Sequence, residues 1–151
     1  MMRDFDFMME AVIEGRKAQG KTGTNPPVGA VIVKDGEIVG RGHTSHLGGP
    51  HAEVNALTDA GEKARGATVY CTLEPCAHWG RTGPCCVALT DAGVARVVVG
   101  IVDPYYEVNG KGIDHLREHG IEMSIGFCEE LIREDLKDFL ERVAKETKRS
   151  T

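Results

Sequence analysis

His51 and Glu53 stand two positions apart, and Cys76 and Cys85 follow, so the chain offers one imidazole, two thiols and one carboxylate to a single piece of chemistry. Imidazole nitrogen and thiolate sulfur are the ligands zinc prefers. A structural zinc site is closed by four protein ligands, whereas a catalytic one keeps three and leaves the fourth position to water. Three ligands with a spare carboxylate therefore predict an activated water with a proton shuttle beside it. His-x-Glu alone is also the sequence of an ordinary helix start with a solvated carboxylate, and the cysteines give it weight. Cys86 competes with Cys85 for the third ligand position.

The elements that must carry these residues are legible in the hydrophobic pattern. Phe5 to Ala18 reads as a helix whose core face is Phe5, Met8, Met9, Val12 and Ile13, ended by Gly20. Val28–Val33 and Ile38–Arg41 read as strands, and the Asp35-Gly36 turn between them predicts a hairpin. A Gly/His/Ser-rich loop containing His43 and His46 leads to a helix over His51–Ala60, with Pro50 where its first turn begins. Thr68–Thr72 reads as a buried strand, Leu73–Gly83 as a loop, Pro84–Ala92 as a helix and Val94–Val102 as a second buried strand. After the loop Asp103–Gly112 come a helix over Ile113–His119, a strand over Ile121–Ile125 and one C-terminal helix from about Glu129 to Lys145. That last helix carries an apolar stripe of Leu131, Ile132, Leu136, Phe139, Leu140 and Val143. Helices alternating with buried strands predict an α/β fold. His51 and Glu53 then lie at one helix start, Cys76 just beyond a strand end, and Cys85 at the first turn of the next helix, where the dipole favours a thiolate.

A chain of 151 residues with 41% apolar content and a net charge of −5 fits one globular domain. The acidic balance opposes binding of long nucleic acid. The N-terminus has no cationic region leading into an apolar stretch, and no segment is long enough to cross a bilayer, so the expectation is a cytoplasmic protein with no membrane partner. Cys71 and Cys128 read as packing residues, and His115 and His119 as a solvated pair near a helix end.

The pattern His-x-Glu with a later Pro-Cys matches zinc deaminases, in which the Glu moves protons and is not a ligand. That pattern has two residues between its cysteines, and here eight separate Cys76 from Cys85. The longer stretch, Thr72-Leu73-Glu74-Pro75-Cys76-Ala77-His78-Trp79-Gly80-Arg81-Thr82-Gly83-Pro84-Cys85, closely resembles the zinc loop of the riboflavin-biosynthesis pyrimidine deaminases, members of the cytidine deaminase-like superfamily. The likeness extends through Asn25-Pro26-Pro27-Val28-Gly29-Ala30-Val31-Ile32-Val33, Gly49-Pro50-His51-Ala52-Glu53-Val54, Asp103-Pro104 and Gly110-Lys111-Gly112. It implies a three-layer α/β/α fold with a mixed five-stranded sheet and one Zn2+ per active site. By motif position His51, Cys76 and Cys85 would bind zinc and Glu53 would be catalytic. Asn25, His78, Arg81 and Asp103 would contact an aminopyrimidine or its phosphoribosyl arm.

The chain departs from the family at Thr44, where a His is usual, at Tyr105-Tyr106, where Asn-Pro is usual, and at Asn109 and Thr24. Thr44 and Tyr105 thereby become candidate substrate-binding positions, with Tyr105 and Tyr106 read equally as ring-stacking or as capping the cleft. Residues 1–151 are read as one zinc-dependent deaminase domain without the reductase domain of bifunctional relatives, and analogy to relatives implies a homo-oligomer. The expected function is hydrolytic removal of ammonia from a small aminopyrimidine. The alternatives are deamination of another nucleobase, nucleoside or aminated heterocycle, and a non-catalytic zinc-stabilised binding module.

Overall fold

The computed structural model describes residues 3–23, 25–46, 49–76, 85–102 and 110–150, with side chains to residue 145. Helix α1 (Asp4–Arg16) precedes the hairpin of β1 (Gly29–Lys34) and β2 (Glu37–His43). Then come α2 (Ala52–Ala60) with a 3₁₀ turn at Gly61–Ala64, β3 (Thr68–Leu73), α3 (Cys85–Asp91) and β4 (Arg96–Ile101). The chain finishes with α4 (Lys111–Glu118), β5 (Glu122–Ile125), α5 (Glu129–Asp135) and α6 (Lys137–Ser150).

The five strands form one mixed sheet in the order β2-β1-β3-β4-β5. β1 runs antiparallel to both its neighbours, and β3, β4 and β5 run parallel. Asp35 and Gly36 both take positive φ, 51° and 79°, as the tight hairpin turn anticipated from the sequence requires. The pairing slips by one residue where Ile32 faces Gly40 and Val33 faces Ile38, leaving Val39 as a bulge on β2. The central strands are buried on both faces, which is why Val31-Ile32, Val69 and Val97-Val98-Val99 read as unbroken apolar runs rather than as alternation. Helices α2, α3 and α4 pack in succession on one face; α1 and α5, joined by the Arg16–Asp135 ion pair at 2.9 Å, cover the other.

Two expectations are corrected here. The core face of α1 is Phe7, Met8, Ala11 and Val12, while Phe5 and Ile13 are 57% and 47% exposed. The helix is apolar over so wide an arc that periodicity alone does not choose its buried side. Tertiary contacts choose it: Phe7 packs on Tyr70 with ring centroids 5.3 Å apart, and Gly15 lies against the backbone of Gly29. Asp4 fastens the start of the same helix, accepting a hydrogen bond from Tyr70 Oη at 2.6 Å and two from the Arg96 guanidinium at 2.8 and 2.9 Å. The Arg96 hydrogen bond outweighs burial and holds the Asp4 carboxyl below the ordinary carboxylate range.

The second correction is at the C-terminus, where one helix becomes two, broken at Leu136. Ile132, Leu136 and Val143 are buried, and Leu131, Phe139 and Leu140 pack partly against the core, so the stripe is used on both sides of the break. Cys71 is buried, and Cys128 packs partly against the core, as the sequence suggests. His115 and His119 stack with centroids 4.2 Å apart, and His119 Nδ1 lies 2.7 Å from the His115 carbonyl oxygen. Among the described residues no helix is long and apolar enough to cross a membrane.

Candidate active site

Helix α2 sits so close to the hairpin that a Cβ on Gly42 would overlap the Ala56 backbone nitrogen. This contact brings the helix start to the end of the sheet where β3 finishes. His51 is the N-cap of α2, with extended backbone at φ −74° and ψ 169°, so the helix proper begins at Ala52, one residue later than the sequence pattern suggests. A cap residue keeps its side chain off the helical cylinder, and Glu53 follows inside the first turn. Asn55, one turn on, ties down the preceding loop: its amide donates to the carbonyl of His43 and to Ser45 Oγ, both at 2.8 Å, and to the carbonyl of Pro50 at 3.3 Å.

The three expected ligands converge. His51 Nδ1 lies 3.1 Å from Cys85 Sγ and 3.7 Å from Cys76 Sγ, and all three donor atoms fall within 4.8 Å of one another. Four-coordinate zinc with Zn–S near ~2.3 Å and Zn–N near ~2.0 Å needs ligand atoms roughly 3.5–3.8 Å apart. The cluster is therefore nearly of the size a tetrahedral zinc requires, and its one nitrogen and two sulfurs suit that metal. The backbone N–H of Cys85, at the start of α3, donates to Cys76 Sγ at 3.2 Å, supplying negative-charge stabilisation from outside the ligand set. Cys86, the rival ligand, is buried outside the group and its thiol is pushed up to about 11, chiefly by burial.

The electrostatics follow from one shared proton. The thiol of Cys85 donates to Cys76, which favours Cys76 as thiolate and holds the Cys85 proton on. Contact with Cys76 raises His51 against the opposing effect of burial. A bound dication would strip the shared proton from both sulfurs. Glu53 is only 4% exposed and is not one of the three clustered donors. Burial pushes its carboxyl upward, with the nearby Cys76 charge acting in the same direction and its own backbone N–H opposing. Burial thus favours a carboxyl that holds its proton close to the donor cluster.

Thr44 has a task within the protein. It is 5% exposed, its hydroxyl donates to the Pro26 carbonyl at 2.9 Å and accepts from the Val28 N–H at 2.9 Å, and its own N–H donates to the Val28 carbonyl at 3.0 Å. Thr44 thus fixes the segment that carries Asn25, whose backbone is held at both its groups by Thr22. Thr44→Val is expected to cost about 1 kcal/mol, the usual net worth of one hydrogen bond. The larger penalty of a stranded donor does not arise, because the Val28 N–H keeps a second acceptor in the Pro26 carbonyl. Urea denaturation of the two proteins reads this, and an unchanged midpoint would show the hydroxyl to be dispensable.

His43, expected in the loop, is instead the last residue of β2 and meets the buried Glu14 carboxylate through Nδ1 at 2.9 Å, and His46 is exposed. His78, Trp79, Arg81, Asp103, Tyr105, Tyr106 and Asn109 lie outside the described residues. The sequence reading passed over Asn55, whose signal was an amide one helical turn beyond the cap histidine and behind a Gly/Ser loop. It also passed over Glu74, a buried carboxylate quoted only as part of a motif.

Comparison with known proteins agrees with this geometry. Residues 1–101 match the model of the cytidine and deoxycytidylate deaminase zinc-binding region. The riboflavin biosynthesis protein RibD of Aquifex aeolicus is 50% identical over 97% of this chain and 42% of its own length. The diaminohydroxyphosphoribosylamino-pyrimidine deaminase of Buchnera aphidicola from Acyrthosiphon pisum is 44% identical over 94% of this chain and 97% of its own length. The solved structure of Acinetobacter baumannii RibD superposes with a TM-score of 0.91 at 48% identity, covering 93% of this chain and 40% of that one. The chain spans about two fifths of the length of the RibD relatives it matches. A three-donor zinc cluster with a buried glutamate, on a sheet shared with RibD and under a family model covering residues 1–101, makes this chain a member of the cytidine and deoxycytidylate deaminase family, among its riboflavin-biosynthesis deaminases.

Proposed function

We propose that this chain hydrolyses the ring amine of diaminohydroxyphosphoribosylaminopyrimidine to a carbonyl and releases ammonia. The observation that carries the reading is the pairing of a three-donor metal cluster with a buried carboxylate that is not one of the donors. When bound, zinc supplies a water activated at neutral pH. Glu53 accepts the proton of that water and delivers it to a ring nitrogen, which makes the amino-bearing carbon electrophilic. Water oxygen bonds to that carbon, Glu53 takes the second proton from the new hydroxyl and passes it to the departing nitrogen, and the C–N bond breaks to leave the carbonyl and ammonia. His51, Cys76 and Cys85 hold the metal throughout.

Asn25, on the segment pinned by Thr44, is assigned to the pyrimidine, with His78, Arg81, Asp103 and Tyr105 as the further substrate contacts. Arg81 provides the cation for a phosphate. A cytoplasmic setting suits this chemistry, because all five cysteines are free thiols and two are ligands that oxidation would remove. A second reading, a zinc-stabilised binding module, is disfavoured by Glu53, since a purely structural site has no use for a buried carboxylate beside three ligands.

Ammonia release measured on the phosphoribosylated diaminopyrimidine and on the same ring without its phosphate tests the substrate. The expected result is a kcat/KM at least about tenfold higher for the phosphorylated compound, as one charge-assisted contact commonly provides. Equal values for the two would remove the riboflavin-pathway substrate while leaving deamination intact.

A further inference from the structure

Glu74 immediately follows β3, two residues before the ligand Cys76, and is 3% exposed. Its carboxylate accepts three backbone N–H groups from the start of α4: Gly110 on Oε1 at 2.9 Å, and Gly112 and Ile113 on Oε2 at 3.0 and 3.3 Å. These are the cap, second and third positions of that helix, whose N–H groups have no intrahelical acceptor. Gly110, the cap residue itself, takes a left-handed φ of 77° and has no side chain to offer. A carboxylate 36 residues earlier in the chain therefore does the capping, and the helix dipole favours its charge.

The contact reaches the metal cluster through the backbone. A Cβ on Gly112 would overlap the Pro75 carbonyl oxygen, so α4 is seated directly on the peptide that joins Pro75 to Cys76. On the other side the Cys86 N–H donates to the Cys76 carbonyl at 3.1 Å, and the Glu74 N–H donates to the Ile101 carbonyl at 3.0 Å. Cys76 is thus held between α4 and α3 while its sulfur faces His51 and Cys85.

We propose that Glu74 is a positioning residue for the zinc centre: by capping α4 it clamps the Pro75-Cys76 backbone and sets the Cys76 sulfur where the metal needs it. The inference rests on the zinc assignment above and deepens it. Groups that orient ligands from outside the coordination sphere are worth about 10- to 100-fold in metal affinity. Glu74→Gln replaces one acceptor with an amide donor aimed at other donors, so it breaks the clamp with little change of volume.

The test is the zinc dissociation constant of the full chain, by competition with a chromophoric chelator, together with the visible spectrum of the cobalt-substituted protein. Glu74→Gln is expected to weaken zinc binding about tenfold or more and to shift the cobalt bands. Gly112→Ala reaches the same contact from the helix side and is expected to do likewise; it serves where Glu74→Gln does not fold. Asp4→Asn, which loosens α1 through Tyr70 and Arg96, is expected to lower Tm without moving the zinc constant. Parent-like zinc affinity and cobalt spectra in the folded clamp variants would overturn the proposal, as would an equal loss of zinc in Asp4→Asn. Zinc binding is read without substrate, so a parent protein that binds zinc but releases no ammonia fails the deaminase reading alone.

Discussion

Glu53→Gln is expected to bind one zinc per chain and to release almost no ammonia. Glutamine keeps the shape and most of the burial of the side chain but can neither accept the water proton nor hand it on. The three metal donors are untouched, because Glu53 is not among them. General acid–base catalysis is worth about 10²- to 10⁴-fold, and a carboxylate that serves both the attack and the departure of the amine belongs at the upper end. The measurement is steady-state ammonia release beside zinc content by atomic absorption. A variant with parent-like turnover would remove Glu53 from the mechanism, and one that had lost its zinc would make the residue a ligand after all.

Removing the metal is expected to abolish turnover while leaving a folded protein. The core is built from Val31, Ile32, Val69, Val97, Val98, Leu89 and Leu116, all fully buried in and against the sheet. None of these depends on a metal for its contacts, unlike the interior of a zinc finger, which is unfolded without its ion. The stripped protein should keep a cooperative thermal transition at a lower Tm, since a ligand present at about 1,000 times its dissociation constant contributes ~4 kcal/mol. Restoring zinc should restore activity, and Cys85→Ser should resist restoration. Circular dichroism melts and ammonia release on the same samples decide this. An unfolded apo chain would make the site structural, and an active one would take the metal out of the chemistry.

The ligand set was legible because its signal is in residue type. Imidazole and thiolate at the starts of two helices and the end of a strand need no knowledge of side-chain packing, and the long Cys76–Cys85 interval did not hide them. The buried strands were legible for a similar reason, as their apolar runs have no other use in a chain of this size. The face of α1 was not, since Phe5, Met8, Met9 and Ile13 offer as good a stripe as Phe7, Met8, Ala11 and Val12. The packing of Phe7 on Tyr70 and the seating of Gly15 against Gly29 decide between them. The break at Leu136 has no glycine or proline to announce it. Thr44 and Glu74 were illegible in a deeper sense, because each acts on backbone groups far along the chain that only the folded sheet brings near.

The outer strands carry a last consequence. β5 is four residues long and begins with the exposed Glu122, while β2 presents Glu37 and Arg41 to solvent and carries the Val39 bulge. Short length, charge and a kinked backbone are the means by which a sheet refuses a sixth strand. Both outer strands thereby disfavour edge-to-edge pairing of one sheet with another into a continuous ribbon. The same bulge that looks like an irregularity in the hairpin is a guard against aggregation at the concentrations a cell maintains.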